Sequence, residues 1–325
     1  MKNYAILMLA LLAICGCQKN DDSDNIVSQR YIHKYGYAIS QQEWVAKNYP
    51  GQVVTMLKNG VTITSTYENG ILNGPQTHSY PHSQIIESYF LYNQGNLVKE
   101  INYDPRGMPL RETTQLSSTR HTTTLWYADG TPMSIEEYIN DELMDGQYFT
   151  TTNEVETRVE KGNGLRVRRD QKGVLLSKDK MEGGYLAKRE SFYPSGTPES
   201  VSYYSKGKLH GERKSFAETG EPVAVEEYIN GMLHGRSMYY KNGNKSHEVS
   251  FIEGRKNGKE VHFLDGDKIS EEIAWEDDMQ HGPATYYIDG DAETKWYYGG
   301  KLTSEKRFHD MIRIDAKINQ IAIND

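Results

Sequence analysis

Histidine side chains can act as general bases or metal ligands, and in this chain three of them recur at one position of a repeated pattern. They stand directly before a glycine at His210, His234 and His281. If the chain is built from stacked units of two strands, equivalent side chains lie about 10 Å apart, too far to share one metal ion. His78 and His82 flank Pro81, which disfavours the helix that their spacing would need. We therefore expect structural histidines and no metal site.

Neighbouring carboxylates are the second candidate for acid–base chemistry. They occur at Glu136-Glu137, Glu226-Glu227 and Glu271-Glu272. Adjacent residues of a strand point to opposite faces, so such a pair cannot converge on one substrate atom, and we expect solvated charges. The sequence also lacks a Gly-rich phosphate loop and a Gly-x-Ser-x-Gly motif. We predict that the protein is not an enzyme and needs no cofactor.

The composition favours a shallow, repeated core over one deep globular core. Hydrophobic residues make up 37% and aromatic residues 11% of the 325 residues, with 24 Tyr and 7 Phe. A tyrosine ring can pack while its hydroxyl stays in water, which suits half-buried positions on a thin β layer. The net charge of -8 opposes binding to phosphate backbones, so we expect no nucleic-acid partner.

The N-terminus has the features of an export signal that ends at a lipid-accepting cysteine. Lys2 precedes an apolar run that reaches Ile14, which is too short to span a bilayer. The segment Ile14-Cys15-Gly16-Cys17 resembles the lipobox of bacterial lipoproteins. That resemblance implies removal of residues 1–16 and acylation of Cys17. We expect the acyl chains on Cys17 to hold the mature chain in the lipid bilayer.

A polar segment follows the cysteine. Residues 18 to 25 read QKNDDSDN, and we predict a flexible tether over residues 17–30. Gln18 is not the aspartate that favours inner-membrane retention, and the acidic run resembles those of some surface-exposed lipoproteins. We therefore expect the cell envelope, at the outer membrane and exposed at the cell surface, as the location. Ser40 and Glu43 form a capping box, which predicts a short helix inside an N-terminal cap over residues 31–59.

Short glycine-containing units recur through most of the remaining chain. GKLHG, GMLHG, GRKNG and DMQHG begin at Gly207, Gly231, Gly254 and Asp278, which are 24, 23 and 24 residues apart. A turn glycine recurs inside each unit, and Asn-Gly and Asp-Gly pairs such as Asn242-Gly243 are typical of tight hairpins. The pattern weakens near Ser118, Asp141 and Gly162, where we expect stacking to be interrupted or bent. The sequence thus predicts an all-β fold: an elongated array of stacked β-hairpin repeats of 22–24 residues over residues 60–304.

Each unit also carries two aromatic positions, which would form two columns in a stacked array. The first column contains Phe192, Phe216, Tyr240, Phe263 and Tyr287. The second column contains Tyr204, Tyr228, Phe251, Trp275 and Tyr297. Ring size is nearly constant in the first column, so we predict that it packs between units. The second column varies more and lies beside acidic residues, so we predict that it contacts a partner.

The alternation of Gly-x-x-x-Gly connections with aromatic-rich turns resembles the MORN-repeat family, and more closely its bacterial variant form, from about Gly60 to Ser304. The resemblance implies stacked hairpins and a role as a scaffold, a partner-binding surface or a lipid contact, and variant members are often labelled antitoxin-like. Residues 305–325 break the period. The helical spacing of Met311, Ile314 and Ile318 predicts a C-terminal capping helix, whereas the alternation of Ile312 and Ile314 would suit a strand.

Two functions remain open from the sequence. The first is a membrane-anchored, non-catalytic repeat scaffold that binds an unknown protein or envelope component. The second is an antitoxin or immunity-type protein that neutralises one specific toxin, although a cytoplasmic antitoxin would need no export signal. An enzyme acting on glycans is less favoured, because only exposed aromatic residues suggest it.

Overall fold

The computed structural model describes residues 25–324, and over this range the chain is all-β with two helices. The predicted signal, the lipobox with Cys17 and residues 18–24 lie outside the described residues. A strand already begins at Ile26. The tether predicted over residues 17–30 is therefore wrong for residues 26–30, because these residues pair with Val54 and its neighbours in the sheet.

The first compact unit contains the described part of residues 1–97 together with 105–107. Its elements are β1 (Ile26–His33), β2 (Ala38–Ile39), α1 (Gln41–Lys47), β3 (Gly51–Leu57), β4 (Thr62–Glu68), β5 (Ile71–Ser79) and β6 (Ile86–Asn93). The predicted capping box is confirmed: the backbone N–H of Glu43 donates to Oγ of Ser40 at the start of α1. Trp44 in this helix is buried between the rings of Tyr31 and Tyr67.

The second compact unit contains residues 98–104 and the chain from Met108 onward. It is a series of antiparallel strands in which each strand pairs with the next one along the chain, except that β18 pairs with both β19 and β20. The elements are most of β7 (Asn96–Tyr103), then β8 (Pro109–Gln115), β9 (Arg120–Trp126), β10 (Pro132–Ile139), β11 (Glu142–Phe149), β12 (Val155–Glu160), β13 (Asn163–Arg169), β14 (Leu175–Glu182), β15 (Tyr185–Phe192), β16 (Pro198–Ser205), β17 (Lys208–Phe216), β18 (Pro222–Ile229), β19 (Met232–Leu233), β20 (Gly235–Lys241), β21 (Asn244–Ile252), β22 (Arg255–Leu264), β23 (Lys268–Glu276), β24 (Met279–Ile288), β25 (Asp291–Tyr298), β26 (Lys301–Thr303) and α2 (Glu305–Asn324).

Tight turns join these strands where the sequence predicts them. Asn242 and Gly243 both have positive φ, 50° and 76°, and Lys241 pairs with Asn244 across a two-residue hairpin loop. Turns of successive repeats also bond to one another along one edge of the sheet. In each case the backbone N–H of a turn glycine donates to a carbonyl oxygen near the previous turn. The bonds run from Gly231 to Leu209 (2.7 Å), from Gly254 to Leu233 (2.8 Å) and from Gly300 to Gln280 (2.9 Å). These bonds explain why the repeat length is nearly constant.

The second glycine of each Gly-x-x-x-Gly unit lies in a β-bulge. Between β21 and β22, Val249 pairs with Glu260 and Phe251 pairs with Lys256, so Ser250 alone faces three residues that include Gly258. The φ of Gly258 is 102°, a left-handed conformation that glycine adopts without strain. The motif therefore encodes a turn followed by a bulge.

The weakly repetitive stretch around Ser118, Asp141 and Gly162 keeps its strand pairing from β8 to β14, so the predicted interruption is wrong there. The pairing of β12 with β13 narrows to two residue pairs. This stretch also holds the buried apolar cluster of the unit, which contains Leu143, Tyr148, Val159, Val167 and Met181. Irregular repeats thus provide the best-packed part of the sheet.

The C-terminal residues form a helix, as predicted, but of the predicted apolar face only Met311 is half-buried. Phe308 is 9% exposed and contacts the rings of Trp296 and Tyr298 in β25. Ile314 and Ile318, which suggested the apolar face in the sequence, are exposed. The helix covers β25 through Phe308.

Candidate binding face

The second column lies on a single face of the sheet in the second unit. Four of its rings each pair with a bulge glycine on the neighbouring strand. The pairs are Tyr228 with Gly211, Phe251 with Gly235, Trp275 with Gly258 and Tyr297 with Gly282. Strand alternation places Glu226 and Ser202 on this face as well. We call it the aromatic face and define it by the second column together with Glu136, Asp179 and Glu226.

The first column lies on the opposite face. Phe216 follows Ser215, and Phe263 follows His262, both of which belong to the aromatic face by their pairing. Rings of both columns are half-buried, except that Tyr287 in the first column is 37% exposed. The structure therefore separates the columns by face, while their exposure does not distinguish a packing column from a binding column.

Glu136 on the aromatic face is a buried carboxylate. The residue is only 4% exposed. Its carboxylate oxygens accept hydrogen bonds from the hydroxyls of Tyr138 (2.7 Å) and Tyr148 (2.9 Å). Nε of Arg166 lies 2.8 Å from Oε1 of the same carboxylate. Burial, followed by the negative charge of Glu136, raises the pKa of Tyr148. The expectation that the paired glutamates are solvated charges is thus wrong for Glu136, because two tyrosines and an arginine replace water around it.

Arg166 reaches Glu136 from three strands away. In a flat sheet the backbones of β10 and β13 would stand about 14 Å apart. The backbone N–H of Ala128, in the turn before β10, donates to the carbonyl oxygen of Gln171, in the turn after β13, at 2.9 Å, so the sheet curves between these strands. The bend expected from the irregular repeats is located here.

Glu226 repeats this arrangement with a different arginine. Tyr228 (3.2 Å) and Tyr239 (3.3 Å) donate to its carboxylate, and Arg213 lies 3.5 Å away. Burial and the charge of Glu226 raise the pKa of Tyr239 to about 12. The tetrapeptide EEYI occurs at residues 136–139 and again at 226–229, which is the signal that could have revealed both clusters.

Asp179 is the most deeply buried charged residue on the aromatic face, with 0% exposure. Arg189 binds it with two parallel hydrogen bonds of 2.8 Å and 2.7 Å. Such a bidentate pair fixes both side chains in one geometry. No periodic pattern in the sequence pointed to this pair.

A row of rings continues across the face at β20 to β22. Tyr239 stacks on His247 with 4.5 Å between ring centroids, and His247 stacks on His262 at 5.3 Å. Burial, followed by the charge of His262, lowers the pKa of His247. The neighbouring Glu260 accepts hydrogen bonds from His262 (2.9 Å) and Lys256 (2.6 Å).

Lys256 also joins this row to the second column. Its Nζ lies 4.5 Å above the centroid of the Trp275 ring. The indole Nε1 of Trp275 is buried and has no hydrogen-bond partner. A half-buried ring beside a cation offers both apolar area and charge to a ligand.

The sequence-based candidates for catalysis stay apart. Among residues 25–324 no group of three histidine, cysteine, aspartate or glutamate side chains could hold a metal ion. His281 packs against Tyr298 and Phe308, a structural contact, and His78 lies in β5 beside Phe90. Within the same residues, no helix combines the length and apolarity needed to cross a membrane.

No protein-family model matches the chain. No curated protein matches it either.

Proposed function

We propose that this protein is a membrane-anchored lipoprotein whose repeats form a non-catalytic scaffold that binds a protein or another component of the cell envelope. The observation that carries the binding role is the common register of the second column on the aromatic face. The segment Ile14-Cys15-Gly16-Cys17 supports the anchor, and the resemblance to MORN-type repeats supports the scaffold.

The second column suits a partner because of what surrounds each ring. Four of the five rings have a glycine opposite them, which adds no side chain, so these rings stay only half-buried. Charged groups stand beside the rings, with Lys256 over Trp275 and Glu226 bonded to Tyr228. Aromatic residues flanked by charged groups contribute most of the binding energy at many protein interfaces.

The test compares two phenylalanines on adjacent strands and opposite faces. The full mature chain is immobilised in detergent, envelope proteins that bind it are identified, and the affinity of the purified partner is measured. We expect Phe251→Ala to weaken binding by about 30-fold, which corresponds to about 2 kcal/mol, and Trp275→Ala to act similarly. Phe263→Ala is the matched control and should change the affinity less than about threefold.

The reverse pattern, in which only Phe263→Ala weakens binding, would place the contact on the other face and contradict the proposal. A captured toxin whose activity is blocked by the chain would instead support the antitoxin or immunity alternative.

A further inference from the structure

Three arginines stand close together on the aromatic face at β13 and β15, and one of them has no acidic partner. Arg166 pairs with Glu136, and Arg189 pairs with Asp179. Among the described residues, no carboxylate lies within 4.0 Å of the guanidinium of Arg168. Each of the two carboxylates is paired with another arginine, so the exposed side chain of Arg168 is available to an anion from solution. Desolvation and the charges of Arg166 and Arg189 lower the pKa of Arg168.

A serine with an unused hydroxyl lies directly beside this charge. Ser177 in β14 pairs across the ladder with Arg168 on one side and with Ser191 on the other. Ser177 is 4% exposed, and its Oγ has no hydrogen-bond partner. Buried polar atoms in proteins are nearly always bonded, and an anion that binds the guanidinium of Arg168 could also accept a hydrogen bond from this hydroxyl.

The serine row extends beyond the charge. Ser191 pairs with Ser200, and Ser200 pairs with Ser215, so hydroxyls follow one another on β14, β15, β16 and β17. Strand spacing sets these hydroxyls about 4.8 Å apart. Ser191, Ser200 and Ser215 line a shallow groove, together with Arg189, Arg213, Tyr204 and the exposed Glu199.

We propose that Arg168, Ser177 and the serine row bind an acidic saccharide, with its anionic group on Arg168 and its hydroxyls over Ser191, Ser200 and Ser215. A guanidinium recognises a carboxylate or sulfate through paired N–H donors. Small hydroxyl side chains leave room for an extended ligand with many hydroxyls, and the neighbouring tyrosine can stack on a sugar ring. The inference extends the proposed binding role of the aromatic face, but it uses strands β13 to β17 and needs neither the anchor nor a protein partner.

Calorimetric titration of the full mature chain in detergent tests the proposal with defined probes. These are short oligosaccharides of galacturonate and of glucuronate, a sulfated oligosaccharide, fully methyl-esterified oligogalacturonate and inorganic phosphate. We expect at least one acidic oligosaccharide to bind saturably and the neutral ester to bind at least tenfold more weakly. Absence of binding by all three acidic probes would overturn the proposal. Phosphate that competes as well as the bound oligosaccharide would also overturn it, because the site would then recognise a bare anion only.

Matched variants locate the site. Arg168→Gln should lower the affinity for the acidic oligosaccharide at least tenfold, and Arg168→Lys should retain part of that affinity. Ser200→Ala should lower the affinity a few-fold. Arg158→Gln is the control, since Arg158 is exposed and points away from the aromatic face in the neighbouring β12. Equal loss in the Arg168→Gln and Arg158→Gln variants would show non-specific charge attraction and contradict the proposal. Trp275→Ala should leave oligosaccharide binding unchanged, so this site and the partner contact proposed at Phe251 and Trp275 can fail independently.

Discussion

Trp275 in β23 lies directly across the ladder from Gly258 in β22, and the left-handed backbone of this glycine forms the bulge beneath the ring. The same relationship joins Phe251 to Gly235. Aromatic side chains that cover a cross-strand glycine shield a backbone that has no side chain of its own. The glycine and the aromatic position of successive repeats are thus one structural unit.

The bulge glycine should be difficult to replace. Gly258→Ala should lower the free energy of unfolding by about 1–3 kcal/mol, because φ is 102° and the new Cβ would stand 3.2 Å from Cβ of Ser250. The control is Gly243→Asn in a hairpin turn, where φ is 76° and asparagine tolerates the left-handed region. Chemical denaturation of both variants provides the measurement. A loss for Gly243→Asn as large as that for Gly258→Ala would argue against a special role of the bulge.

Two adjacent glutamates should differ sharply in their contribution to stability. Glu136→Gln leaves Arg166 without its buried partner, so we expect a loss of about 3–5 kcal/mol. Glu137→Gln removes only the pair with Arg120, whose side chain is 50% exposed, and should cost less than about 1 kcal/mol. Urea denaturation of the two variants measures both losses, and similar values for the two would rule out a buried ionic cluster at Glu136.

Acid should destabilise the stack of rings around His247. The folded pKa of His247 is lowered from 6.5, first by burial and then by His262. The unfolded chain therefore binds the proton more readily, and stability present above pH 6.5 is lost as the pH falls from 6.5 through the lower folded pKa. We expect His247→Gln to flatten the dependence of the unfolding free energy on pH over this window. His210→Gln, outside the stack, serves as the control, and an unchanged slope in the His247 variant would contradict the assignment.

The lipid anchor predicted at Cys17 is tested by fractionation. Cys17→Ser should release the protein from membranes into the soluble fraction, because the acyl chains can no longer attach to the sulfur. The mass of the mature wild-type chain should exceed that of its polypeptide by the acyl groups. A Cys17→Ser variant that stays in the membrane fraction with the wild-type mass would refute the lipobox assignment.

The strand order, turns and faces followed from the sequence because they depend on local geometry. The positive φ at Gly243 favours glycine, and the 24-residue step from Phe251 to Trp275 puts these residues at equivalent positions of successive repeats, hence on one face. Ser40 and Glu43 capped their helix as predicted because the contacts span only three residues. Such features are encoded within a few neighbouring residues, so they can be read without knowledge of the rest of the chain.

The ionic clusters were decided only by the tertiary structure. Glu136 and Arg166 are 30 residues apart, and they meet because the sheet curves between β10 and β13. Whether a glutamate is solvated or buried depends on that curvature and on the tyrosines that reach over it, which the repeat pattern does not specify. The same reason applies to Arg168, since its lack of a carboxylate partner depends on which neighbours Glu136 and Asp179 already bind. Burial and charge pairing are properties of the assembled sheet, whereas the period, the turns and the faces are properties of each repeat.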